Sequence, residues 1–81
     1  MNRVDSIRAT VSRLWRAVPF KKFVLTLENG DRVVVEHPEN VAFDPTGKSD
    51  ALYVLSRDAQ LISTLSAVTG IVMKDDGQAA A

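Results

Sequence analysis

The chain reads as a single α+β domain, an N-terminal helix followed by a five- to six-stranded bent antiparallel sheet that forms a small, partly open barrel. Three observations carry this reading. Apolar residues recur at helical spacing over residues 4–18, an Asn29-Gly30 pair sits between two β-rich runs, and the chain closes in the order strand, one tight helical turn, strand. An open sheet with the helix laid across it, a two-layer sandwich, is the alternative architecture.

The helix comes first. Val4, Ile7, Val11, Leu14, Trp15 and Val18 fall in one stripe about 100° wide at 100° per residue, the width of a core-facing helix face. Asn2 is placed to cap its start, with Asp5 as a capping-box-like partner, and Pro19 disfavours helical geometry at Val18, so the helix is expected over about residues 3–17. Arg13 and Arg16 project away from the stripe, and Arg3 and Arg8 flank it.

Residues 23–28 and 31–36 flank Asn29-Gly30, which predicts a hairpin with a two-residue type I′ turn. Pairing Glu28 with Asp31 would set Leu25 opposite Val34 on one face, and Val24 and Thr26 opposite Val35 and Val33 on the other. Both faces would then be apolar, so one should line the interior and the other should meet the helix or a second subunit. Pro38, which lacks a ladder donor, ends the second strand within the turn His37-Pro38-Glu39. A short strand is expected over 41–44, ending at Asp44-Pro45-Thr46-Gly47, then a hairpin of 51–56 and 60–65 around Arg57-Asp58. A helical turn at 66–68 and a last strand at 70–73 complete the order. Residues 1–73 form the expected domain, and 74–81, which carry charge, glycine and alanine without a periodic apolar face, are expected to be a disordered tail.

Composition narrows the function. The chain has 81 residues and no cysteine, so neither a disulfide framework nor a thiolate metal site is open to it, and its core holds by packing alone. Its longest apolar runs fall far short of a membrane span and its polar start lacks a signal peptide's apolar stretch, so a cytoplasmic protein is expected. Net charge is zero, but Arg3, Arg8, Arg13, Arg16, Lys21 and Lys22 against Asp5 give the first 22 residues +5, and the rest balances it. The asymmetry suits a helix resting on its own oppositely charged sheet, or one that steers an anionic partner.

Little chemistry is on offer. The one histidine, His37, stands between Glu36 and Pro38-Glu39, but strand alternation and Pro38 point these groups apart, so His37 reads as a turn residue whose ring bonds nearby backbone. Neither a nucleophile elbow, a phosphate loop nor a dinucleotide fingerprint is present, and no enzyme activity, metal or cofactor is expected. Candidate binding residues are Arg8, Arg13 and Arg16 on the helix, Trp15 as core filler or partner hot spot, and His37 and Glu39 at the turn. Asn29, Gly30 and Pro38 are assigned to turns.

The run Pro19-Phe20-Lys21-Lys22-Phe23, Leu25, Leu27, Asn29-Gly30 and Val35-Glu36-His37-Pro38-Glu39 resembles a set of short bacterial proteins with a Pro-Phe pair, a hairpin glycine and a His-Pro-Glu turn, a family without an assigned activity. The strand order behind an N-terminal helix also resembles Sm-like small barrels, which implies rings and RNA binding by analogy of topology. The expected function is a small non-catalytic protein-interaction or self-association module, with an unknown protein or a further copy of the chain as its partner. The alternative is an Sm-like nucleic-acid binder that uses the basic helix.

Overall fold

The computed structural model describes residues 2–57 and 60–73. Helix α1 spans Arg3–Arg16 and is capped by Asn2, whose side chain accepts from the Asp5 amide at 2.8 Å. The Asp5 carboxylate does not complete a capping box; it turns to Arg8 at 3.1 Å. Six strands follow: β1 (Phe23–Leu27), β2 (Arg32–Val35), β3 (Val41–Phe43), β4 (Ala51–Leu55), β5 (Gln60–Thr64) and β6 (Val68–Met73). They form two antiparallel three-stranded sheets, in the orders β2-β1-β6 and β3-β4-β5, and these do not close into a barrel.

The chain crosses between the sheets twice, each time through a single 3-10 turn, at Pro38–Asn40 and at Leu65–Ala67. β2 ends at Val35, opposite the first residue of β1, and Pro38, which cannot donate to a ladder, opens the turn that redirects the chain into β3. One core fills the space between the sheets and the helix. Phe23, Leu25, Leu27, Val35 and Val68 come from the first sheet, Val41, Leu52 and Val54 from the second, Leu65 from the second crossing and Val11 from α1, all of them buried.

The β1–β2 hairpin departs from the expected register by one residue. Leu25 pairs with Val33, not Val34, and Phe23 with Val35. Leu27 donates to Asp31 and Gly30 to Leu27, which makes Glu28-Asn29-Gly30 a three-residue loop: a turn over Leu27–Gly30 with the left-handed residue at Gly30, φ +93°. Asn29 has negative φ, so the turn is not type I′. The reason lies in burial. A one-residue slip exchanges the faces of β2, and only the observed register sends Val33 and Val35 to the side of Phe23, Leu25 and Leu27. Asn29 contributes through its side chain, which accepts from the Asp31 amide at 2.9 Å.

Replacing Gly30 by valine is expected to cost more than about 1 kcal/mol in a urea unfolding titration, since a β-branched residue resists positive φ although open space surrounds the position. An unchanged midpoint would refute the left-handed geometry.

Elsewhere the bounds shift by a residue or two. β3 stops at Phe43 because Asp44 is recruited to the following turn, and β6 begins at Val68 directly after the second crossing. Leu55 pairs with Gln60, so residues 56–59 make the β4–β5 connection, and part of the expected Arg57-Asp58 turn lies outside the described residues, as does the tail 74–81. Among the described residues no helix is long and apolar enough to cross a membrane.

Candidate functional site

The helical arginines divide into two pairs. Arg3 donates to the carbonyls of Ser66 and Val68, tying the start of α1 to the second crossing turn. Arg8 is 7% exposed and fastens the middle of the helix to the β3–β4 connection. Its Nε donates to the Asp44 carbonyl at 3.1 Å, Nη1 to Asp5 at 3.1 Å, and Nη2 to the Ser49 carbonyl at 3.2 Å and to the Asp50 carboxylate. Its flanking position on the helix suggested a surface residue; the structure makes it an internal cross-link. Arg13 and Arg16 remain exposed, and Arg16 Nε reaches the Ser12 carbonyl at 3.4 Å. Arg8–Asp50 joins the basic helix to the acidic body, at the β3–β4 connection and not across the face of a sheet.

The loop that receives Arg8 is organised by Asp44. One carboxylate oxygen accepts from the Thr46 amide at 2.8 Å and the Thr46 hydroxyl at 2.6 Å, the other from the amides of Lys48 and Ser49, both at 3.0 Å. These donors hold its pKa below the ordinary 3.8, the Thr46 hydroxyl most strongly, while desolvation acts the other way. A lowered folded-state pKa stabilises the fold above the unfolded value, and that contribution is lost as pH falls through the folded value. Asp44→Asn is therefore expected to destabilise the protein at pH 6, with the gap to wild type narrowing below pH 3.8 in urea titrations run as a pH series. A gap independent of pH would count against the carboxylate's role.

Trp15 is 37% exposed. Its ring packs nearly perpendicular to that of Phe43, the centroids 5.5 Å apart, and its indole N–H donates to the Pro38 carbonyl at 3.0 Å. Trp15 thus seats the end of α1 on the first crossing turn, part filler and part surface. His37 precedes that turn with its ring exposed and bonded to no described residue, contrary to the expected backbone bond. Glu39 borders a shallow groove of about 190 Å³ together with Ala42, Tyr53 and Leu55. No three His, Cys, Asp or Glu residues converge as metal ligands among the described residues. Arg13 and Arg16 share the exposed side of the helix, and Glu39 borders a different groove from Arg8 and Arg16, so the six sequence-derived candidates do not form one site.

Two features were only partly visible in the sequence. The outer face of the second sheet carries the cross-strand row Ala42–Tyr53–Ile62, with Tyr53 48% and Ile62 70% exposed, and Leu55 beside it. The outer row of the first sheet, Val34–Val24–Val72, likewise ends in a Val72 that is 53% exposed. Each row runs out at a strand with a single described neighbour, β5 in one sheet and β6 in the other. Alternation along 51–56 shows two apolar sides but does not say which is left uncovered.

Comparison of the chain with protein-family models, curated proteins and solved structures found no match.

Proposed function

We propose that this protein is a non-catalytic self-association module in which the open edge of β5 pairs with the open edge of β6 of a further copy. The observation that carries the reading is the character of these two edges. Monomeric proteins guard exposed strand edges with lysine, proline, inward charges or covering segments. Neither Gln60–Thr64 nor Val68–Met73 contains a charged residue or a proline, and beside them stand Ile62 and Val72, two of the most exposed apolar side chains of the fold.

Pairing β5 with β6 would satisfy backbone groups of both edges and continue the Ala42–Tyr53–Ile62 row into Val72–Val24–Val34 of the neighbour. Because the two edges differ, the contact is heterologous, and it generates a ring where the rotation closes and a filament where it does not. The nucleic-acid alternative loses support from the arginines: Arg3 and Arg8 are engaged within the chain, which leaves Arg13 and Arg16 on the open helix surface.

The test is solution mass by light scattering on a sizing column, with the 260-to-280 nm absorbance ratio followed across the peak. The expected result is an oligomer free of nucleic acid, reduced to the 8.9 kDa monomer by Ile62→Lys, which places a charge at the contact without touching the core. A wild-type monomer at millimolar concentration would overturn the reading, and a peak rich in nucleic acid would replace it with the RNA-binding one.

A further inference from the structure

Between α1 and the β3–β4 connection runs a polar groove of about 390 Å³, lined among others by Asp5, Arg8, Ser12, Arg16, Thr46 and Gly47. We infer that this groove is a binding site for a phosphate-type oxyanion, held by the Arg16 guanidinium and the Ser12 hydroxyl. The inference is independent of the self-association reading.

The argument starts at Ser12. It is 7% exposed, yet its hydroxyl bonds to no described residue. A buried hydroxyl normally finds a partner, and within a helix the carbonyl four residues back is the nearest one; here that bond is absent. No side-chain N or O of the described residues is both fully buried and unpartnered, so the Ser12 hydroxyl keeps some exposure, and Ser12 lines the groove. One turn further along, Arg16 anchors its Nε on the Ser12 carbonyl, and both of its terminal nitrogens remain uncommitted.

The groove's other groups add donors and few free acceptors. Arg8 Nη1 carries one bond, to Asp5, and lies against Gly47, 3.7 Å from where a Cβ would stand, so one of its N–H groups is uncommitted there. The Gly47 amide donates to no described residue, whereas the Thr46, Lys48 and Ser49 amides of the same loop are taken by the Asp44 carboxylate. The nearby carboxylates are partly engaged: Asp5 and Asp50 each pair with Arg8 through one oxygen, and both oxygens of Asp44 take two donors each. Arg16 is thus the groove's one charged side chain without an ionic partner among the described residues. A planar guanidinium beside a hydroxyl and an amide matches the oxygens of a phosphate. The Asp5 and Asp50 carboxylates on Arg8, with Asp44 in the adjoining loop, temper the attraction, so the site is expected to be weak, with a dissociation constant on the order of 1 mM.

The test is an NMR titration of the full chain with inorganic phosphate, with chloride holding ionic strength constant. Saturable shifts of the Ser12 and Gly47 amides and of the Arg16 side chain are expected, weakened about tenfold in Arg16→Gln and about threefold in Ser12→Ala, while Arg13→Gln leaves them as in wild type. All three variants sit on the exposed or groove side of α1, and their amide spectra report whether the fold is kept. Absence of saturation up to 20-fold above that constant, or equal weakening by Arg13→Gln, would overturn the site.

Discussion

Arg8→Ala is expected to destabilise the protein by about 2–3 kcal/mol. The substitution removes four hydrogen bonds from a side chain that is 7% exposed, and hydrogen bonds to charged groups are each worth more than neutral ones. The figure stays below the 3–5 kcal/mol, roughly, of a fully buried broken ion pair, because the Asp5 and Asp50 side chains are about half exposed and regain water. Lysine is expected to recover less than half of the loss, since a single ammonium cannot reach the Asp44 and Ser49 carbonyls and two carboxylates from one fork. Urea titrations of the three proteins decide it, and a loss under about 0.5 kcal/mol for Arg8→Ala would show that the cross-link is ornamental.

A larger effect is expected at Phe23. Its side chain is fully buried at the start of the central strand of the first sheet, opposite Val35 on one neighbour and Met73 on the other, with the Phe20 ring 5.9 Å away. Truncation to alanine is expected to cost about 3–5 kcal/mol, which approaches the whole stability of a domain this size. The outcome to look for is loss of near-ultraviolet circular dichroism and collapse of amide dispersion at 25 °C, with Phe23→Leu retaining both. A cooperative Phe23→Ala variant less than about 2 kcal/mol below wild type would mean that the core is centred elsewhere.

Local signals proved legible and tertiary ones did not. Helix α1 ends within one residue of its expected limits because Asn2 and Pro19 act through their immediate neighbours. The hairpin's position was equally plain, yet its register was not. Asn-Gly suits both a two-residue turn and a three-residue loop with glycine at the left-handed position, and the choice between them rests on which side of β2 meets Phe23, Leu25 and Leu27. Arg8 was misjudged for a similar reason: its wheel position borders the core stripe, and only the return of the chain at Asp44–Asp50, 36 to 42 residues later, encloses it. The outer rows ending at Ile62 and Val72 were foreshadowed by apolar residues on both sides of the strands. Which of those sides the helix covers is a property of the assembled sheets, not of any window of sequence.

The anchoring of Arg3 bears on the order in which the protein is made. Its two acceptors lie 63 and 65 residues away, in the last crossing turn and at the head of β6. The helix is synthesised before all six strands, but its N-terminal anchor does not exist until Val68 has been translated. During synthesis the apolar stripe of α1 must therefore wait, and an isolated 14-residue helix is too short to hold its shape firmly on its own. Docking of α1 and completion of the first sheet by β6 are accordingly late events, dominated by contacts between distant parts of the chain. That is the regime in which folding is slowed by loop closure and nascent chains spend longest with apolar surface open to one another.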